Sequence, residues 1–344
     1  MTFAYDLLER DLVPDPMIRL GIRRLLASRL RDELAGGEDA LRRRKAELVR
    51  QLRASPIAIH TADANEQHYE VPTEFYRFVL GRHMKYSGGY WPAGVTTLDG
   101  SEAAMLELSV GRARLEDGQD VLELGCGWGS MTLFMAERYP GSRIVGVSNS
   151  STQREHILAE AERRGLGTVE IRTADMNDFT IDKRFDRVVS IEMFEHMRNY
   201  ATLFERVAGW LRDEGRAFVH IFCHRDAAYP FEVRGPGDWM AKYFFTGGMM
   251  PSVDLFDHFP EHLQVEQRWL VPGEHYQRTS EAWLANMGAE RERLWPILER
   301  TYGADQARRW WVYWRVFFMS CAELFGYRHG QEWVVAHYRF RKAG

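Results

Sequence analysis

The feature that most constrains this chain is the stretch from Val121 to Gly129, V-L-E-L-G-C-G-W-G. A short apolar run carries Glu123, and glycine then falls at 125, 127 and 129. Glycine at every second position lets the backbone turn sharply and lets a ligand approach the main chain closely. The surroundings set the topology. Asp120 to Leu124, Arg143 to Val147, Val169 to Thr173, Phe185 to Ser190 and Ala217 to Ile221 read as strands. Ser130 to Arg138, Ser151 to Arg164 and Tyr200 to Leu211 read as helices between them. This alternation predicts a parallel sheet covered on both faces. In such an open sheet, ligands bind beyond the carboxyl ends of the strands.

Residues 1–60 read as an N-terminal helical segment. Asp15 before Pro16 is a capping start signal, and Ile18, Ile22, Leu25, Leu26 and Leu30 follow at helical spacing. Gly36 and Gly37 break that helix, and a charged one from Asp39 to Arg53 ends before Pro56. The basic run from Arg42 to Lys45 sits among Glu38, Asp39 and Glu47, the pattern of a solvated helix face. After Ile221 the alternation stops. Gln264 to Leu270 and Trp333 to Phe340 read as a hairpin-like strand pair with an aromatic-rich helical cap inserted. Within it Trp310, Trp311, Trp314 and Phe318 fall at helical spacing and read as packing. The division expected is 1–60, then a covering segment over 61–119, then a core over 120–344 with cap insertions at about 223–260 and 271–331.

Composition excludes several classes. Of 344 residues, 45 are Lys or Arg and 49 Asp or Glu, a net charge of −4, and 45% are hydrophobic. That balance argues against disorder and against a basic nucleic-acid binder. No apolar run approaches the ~20 residues of a spanning helix, and Met1 to Asp6 lacks the regions of a signal peptide. Cys126, Cys223 and Cys321 show no C-x-x-C spacing, so neither a disulfide framework nor a zinc site is expected. The expectation is a soluble, reduced, cytoplasmic protein without nucleic-acid partners or integral membrane association. Its aromatic cap leaves room for a homodimer contact.

A dinucleotide site would show G-x-G-x-x-G, whereas this turn is E-x-G-x-G-x-G. Glu123 would repel a pyrophosphate and suit a ligand bearing an ammonium group. The pattern resembles motif I of the seven-stranded methyltransferases that use S-adenosylmethionine (SAM), which has no phosphates, an amino-acid moiety and a sulfonium. That resemblance implies an α/β, Rossmann-like seven-stranded fold, SAM as cofactor with S-adenosylhomocysteine (SAH) as product, and no metal. Ser148, Asn149 and Gln153, after the second strand, could bond the ribose through neutral groups. Asp175 is placed to accept from the adenine amino group, with Met176 against the ring.

The segment from Glu192 to Met197, E-M-F-E-H-M, resembles the F-E-H signature of the superfamily of cyclopropane fatty acid synthases and coclaurine N-methyltransferases. Asn65 to Pro72, Lys85 to Trp91, Glu9 to Asp15, Phe222 to His224, Tyr243 to Gly248, Ala322 to Tyr327 and Glu332 to His337 extend the likeness over almost the whole chain. It is strongest to the plant coclaurine-type enzymes. The resemblance implies that Tyr86, Ser87, Gly125 to Gly129, Ser148 to Gln153, Met176 and Asn177 line the SAM site. It also implies an N-methyltransferase acting on a small aromatic or cyclic amine. One departure stands out. The lipid enzymes carry a Cys, here Gly88, that helps hold a bicarbonate base, while the other shell positions Glu195, His220 and Tyr276 persist. Cys321 matches a cysteine labelled active-site in the lipid enzymes by similarity, and a buried helix thiol is the competing reading.

If the Glu192 to His196 segment is helical, Glu192, Glu195 and His196 share one face at i, i+3 and i+4. The expected roles are base and orienter for Glu195 and His196, with Glu192 as electrostatic partner. A histidine of ordinary pKa, ~6.5, would carry the proton away. Trp239, Tyr243, Phe244, Trp269, Tyr276 and Trp333 are candidates to face the substrate, where an aromatic face stabilises a cation by about 0.5–2 kcal/mol. Two alternatives stay open: a lipid C-methyltransferase or cyclopropanase, and a SAM-binding module acting through partners.

Overall fold

The computed structural model describes residues 2–59, 71–233, 235 and 238–344. The signature positions from Asn65 to Glu70 lie outside these residues. Seven strands form one sheet: β1 (Asp120–Leu124), β2 (Arg143–Ser148), β3 (Val169–Thr173), β4 (Phe185–Ile191), β5 (Leu211–His224), β8 (Leu263–Val271) and β9 (Trp333–Lys342). Their order is β3-β2-β1-β4-β5-β9-β8. The five strands from β3 to β5 run parallel, and β9 lies antiparallel between β5 and β8. This is the expected α/β fold, including the late strand pair. Successive crossovers run outward from β1 to β3 and then return to β4 on the other side of β1. The switch point therefore opens between β1 and β4, where such sheets bind ligands. β1 is buried along its whole length, as a strand covered on both faces must be.

The N-terminal helices α1 (Thr2–Glu9), α2 (Asp15–Glu33) and α3 (Gly37–Ala54) strap across the molecule. Asp15 does not cap α2. Pro14 occupies the cap position, and the Asp15 carboxylate instead accepts from Arg315 at 2.5 Å. Arg19 bridges Glu281 and Glu323 at 2.6 and 3.0 Å. Of the basic run, Lys45 is not solvated but donates to Asp254 at 2.5 Å.

Helices α4 (Thr73–Val79) and α5 (Leu98–Ala113) precede the sheet; α6 (Ser130–Arg138), α7 (Ser151–Arg164) and α8 (Tyr200–Trp210) connect its strands. After β5 come a two-stranded ladder, β6 (Tyr229–Pro230) with β7 (Met249–Met250), and the short α9 (Trp239–Tyr243). Helices α10 (Gly273–Ala289), α11 (Arg291–Tyr302) and α12 (Ala307–Gly326) fill the insertion between β8 and β9. Trp311, Trp314 and Phe318 of α12 are buried, as expected. Phe244 stacks on Phe317 at 4.4 Å between centroids, and Trp239 and Tyr243 pack on Tyr313. These three cap aromatics thus form the cap's own core instead of a substrate face. Trp333 packs on His224 and Tyr327 and donates to the Tyr229 hydroxyl. Trp269 lies under Arg112 and Arg339 on the edge strand. Among the described residues no helix is long and apolar enough to cross a membrane.

Candidate active site

A cleft opens at the switch point, lined by Gly125, Gly127, Ser148, Asn149, Gln153, Asp175, Met176, Glu192 and His196 among others. Residues from the ends of three other strands, β2, β3 and β4, thus converge beside the glycine turn. Each glycine of that turn has a positive φ, but their surroundings differ. A Cβ on Gly125 would meet Met193 at 2.7 Å and one on Gly129 would meet Ile157 at 2.7 Å, whereas one on Gly127 would meet nothing within 4 Å among the described residues. Gly125 and Gly129 therefore serve packing, and Gly127 keeps the cleft open to a ligand. Ser148 donates to Gln153 Oε1 at 2.6 Å, and the buried Gln153 amide nitrogen has no partner among the described residues. An unfilled donor beside an uncovered glycine fits the ribose and amino-acid portions of SAM.

Other expected cofactor contacts lie elsewhere. Glu123 does not face the cleft. Its carboxyl is buried beneath the turn and accepts from Thr132, and burial pushes its pKa up to about 8. Asn177 spends its side chain on both backbone groups of Ala58 (3.0 and 3.1 Å). It thereby fixes the segment whose Ala58 and Ile59 form an opposite wall, a wall the motifs did not reveal. Ser87 accepts from the buried Lys85, and Tyr86 packs against Tyr76 and Trp283, so neither is on the cleft wall. Thr246 and Gly247 do line the cleft; the quoted Tyr243 to Gly248 motif was their only signal.

The acid cluster departs most from expectation. Only Phe194–His196 forms a single 3-10 turn, and Glu192 precedes it with φ +49°. That left-handed backbone is uncommon outside glycine and costs of order 1–3 kcal/mol. It is held by the Glu192 N–H donating to the His220 carbonyl at 2.8 Å. The three side chains therefore do not share a helical face. Glu192 Oε1 accepts from the Gly88 N–H at 3.0 Å and lies 3.1 Å from His220 Nε2, while Oε2 accepts from the Tyr276 hydroxyl at 2.7 Å. Glu195 turns inward: Oε1 accepts from the Phe222 N–H at 2.7 Å, and Oε2 has no partner among the described residues.

Burial raises both carboxyls, Glu195 well above its usual range because the Glu192 charge adds to desolvation. Lys85, Gly88, Tyr276 and His196 offset part of that rise for Glu192. The pair therefore divides: Glu192, with three donors, is the carboxylate, and Glu195 is the neutral acid. His196 stacks on Phe245 (5.6 Å, 5°), and burial pushes it down to about 4, so it is not a histidine poised at neutral pH. Burial and the Glu192 charge push the Cys321 thiol up, which holds it neutral and removes it as a base or nucleophile. Lys85 is fully buried behind this cluster, donates to the Gly88 carbonyl at 2.8 Å, and is lowered by burial to about 8. Among the described residues no group of three or more His, Cys, Asp or Glu is placed to hold a metal ion.

The chain also matches known proteins in sequence and in fold. Residues 58–333 match the model of the mycolic acid cyclopropane synthetase family. The chain is 37% identical over 339 residues to (S)-coclaurine N-methyltransferase of Thalictrum flavum subsp. glaucum, covering 97% of this chain and 94% of that one. The enzyme of the same name from Papaver somniferum is 35% identical, with 97% and 96% covered. A crystal structure of coclaurine N-methyltransferase bound to N-methylheliamine and SAH superposes with a TM-score of 0.96 at 36% identity, covering 99% of each chain.

Proposed function

The chain belongs to the mycolic acid cyclopropane synthetase family and is a SAM-dependent N-methyltransferase, and we propose that its acceptor is a cyclic amine whose nitrogen is presented to Glu192. The observation that carries this reading is the convergence of the Gly88 N–H, His220 and Tyr276 on the Glu192 carboxylate. By resemblance, two of these positions belong to the shell that holds bicarbonate in the lipid enzymes, and the third replaces its cysteine. Here their hydrogen bonds are taken by an internal carboxylate, whose charge would also repel a second anion. The site is thus furnished for a cationic amine.

Bound SAM supplies an electrophilic methyl group on a sulfonium. Gly127, Gln153, Ser148, Asn149, Asp175 and Met176 are the residues that would hold it. An amine needs a free lone pair, so the enzyme must accept its proton. Glu192 is suited to that, since burial lifts it above an ordinary carboxylate and makes it a stronger base near neutral pH. His196, kept neutral on Phe245, bounds the amine on the other side without adding a competing positive charge. Glu195 keeps its proton and holds the 3-10 turn to β5 through Phe222. The cap supports water exclusion by closing Tyr276 and Phe325 over Glu192. This assignment gives Glu192 the base role that the spacing alone would give Glu195.

Incubation with SAM and a panel of primary, secondary and tertiary cyclic amines, in parallel with phospholipid vesicles, tests the reading by mass spectrometry of the methylated product. Methylated secondary amine is the expected result. Methylated lipid with no methylated amine would overturn it.

A further inference from the structure

The Glu192 contacts continue away from the cleft. His220 Nδ1 lies 3.0 Å from His337 Nε2, and His337 Nδ1 lies 2.8 Å from Arg112 Nη1. Both imidazoles are fully buried. The row is built by strand register: Trp269 on β8 is opposite His337 on β9, which is opposite His220 on β5, which is opposite Ile191 on β4, the residue before Glu192. Arg112 reaches the row from the last turn of α5 and is held over the Trp269 ring at 5.1 Å.

A guanidinium has only donors and does not deprotonate. His337 Nδ1 facing Arg112 must therefore be the acceptor, which places its proton on Nε2. That N–H donates to His220 Nδ1, which in turn places the His220 proton on Nε2, pointing at Glu192 Oε1. One fixed cation thus determines two tautomers in series. We propose, building on the reading of Glu192 as the cleft carboxylate, that Arg112 and His337 are positioning residues that lock His220 as a permanent donor to Glu192. Both imidazoles stay neutral, since burial, Arg112 and Lys85 each push them well down. The lock also blocks proton escape along the row, because reversing it would aim an N–H at Arg112. A proton taken from substrate must leave through the cleft.

The other groups facing Glu192 are Lys85 from the loop before Gly88, Tyr276 from α10, Cys321 from α12, and Glu195 and His196 from its own turn. None of them contacts the far nitrogen of His220, so none substitutes for the lock. Loss of the donor raises the Glu192 pKa, because a hydrogen bond to the carboxylate favours its charged form.

The test begins with the unmodified protein without substrate. Imidazole 15N spectra should show His220 and His337 as neutral Nε2–H tautomers from pH 6 to 9. A Nδ1–H tautomer at His220 would overturn the proposal, whichever amine the enzyme accepts. In Arg112→Met that tautomer should become populated. With saturating amine, kcat should fall roughly tenfold or more, its acid limb should move up by about one pH unit, and KM and SAH affinity should hold. Arg112→Lys, which retains a cationic donor, should restore the wild-type limb. Wild-type kcat and pH profile in a folded Arg112→Met variant would equally sink the lock. Correct tautomers in a protein that methylates no amine would instead refute the function and leave the lock standing.

Discussion

Glu192→Gln isolates the charge that organises the site. The Glu192 side chain is only 8% exposed, so an effective dielectric of ~20 is appropriate, at which unit charges about 4 Å apart interact by about 4 kcal/mol. An amine nitrogen that has gained roughly half a charge in the transition state would feel about half of that, ~2 kcal/mol, or roughly a 30-fold loss of rate. Glutamine also turns an NH2 toward one of three donors, the Gly88 N–H, His220 or Tyr276, so part of the cradle is lost with the charge. Stability should not fall, since the fold disfavours ionisation of this buried group. Initial rates of methyl transfer, SAH calorimetry and thermal melts read the three consequences separately. kcat and kcat/KM should drop together, as for an interaction made in the transition state, with SAH affinity intact. Turnover near the wild-type rate in a folded variant would refute the assignment of Glu192.

Three further outcomes follow from the cleft. Gly127→Ala, at φ +52° with nothing within 4 Å among the described residues, should cost only about 1–2 kcal/mol of stability yet weaken SAH binding; Gly129→Ala, driven into Ile157, should lower the melting temperature more. Wild-type SAH affinity in Gly127→Ala would exclude that turn as the ligand cradle. Glu123, raised from 4.5 to about 8 by burial, is protonated in the fold but ionised in the unfolded chain between those values. Its contribution therefore falls as pH rises through that window, by at most about 5 kcal/mol; urea midpoints at pH 6 and 9 should converge in Glu123→Gln, and an undiminished gap contradicts this. His196→Asn should lower kcat but keep the shape of its profile from pH 6 to 9, because His196 titrates near 4; loss of a limb inside that range would return the histidine to the role of neutral-pH base.

The parallel half of the sheet was legible because β1, β2 and β4 are short, largely apolar runs and helices α6, α7 and α8 punctuate the chain, as at Gly165, which ends α7 in a left-handed turn. The cleft floor was legible for the same reason: Gly127, Ser148 and Asp175 sit at strand ends, and strand ends define the switch point. The acid cluster was not. Its spacing suggested a helix face, but the backbone there is set by distant partners, the His220 carbonyl and the Phe222 N–H of β5. The aromatic residues failed similarly. Phe244 and Tyr276 both belong to the cap, and only tertiary packing puts one on Phe317 and the other on Glu192. His337 lies 117 residues from His220, a pairing that only the β5–β9 register makes.

Gly88 and Glu192 form one structural unit. A Cβ on Gly88 would come within 3.0 Å of the Tyr276 Cδ1 and 3.2 Å of its Cγ. Phe325 is stacked on that ring at 4.1 Å and 10° and restricts its retreat. A side chain at 88, such as the cysteine of the lipid enzymes, must therefore displace Tyr276 and stretch its bond to Glu192. Gly88→Ala is enough to test this, since the Cβ alone makes the contact. A lost hydrogen bond to a charged group is worth about 1.5–3 kcal/mol, which would slow amine methylation by roughly ten- to a hundredfold. Tyr276→Phe removes the same bond while keeping the ring. If the two act through that one contact, the double variant should be scarcely slower than either single one. Additive losses would separate Gly88 from Glu192, and full activity in Gly88→Ala would show that the carboxylate does not depend on the tyrosine to hold it.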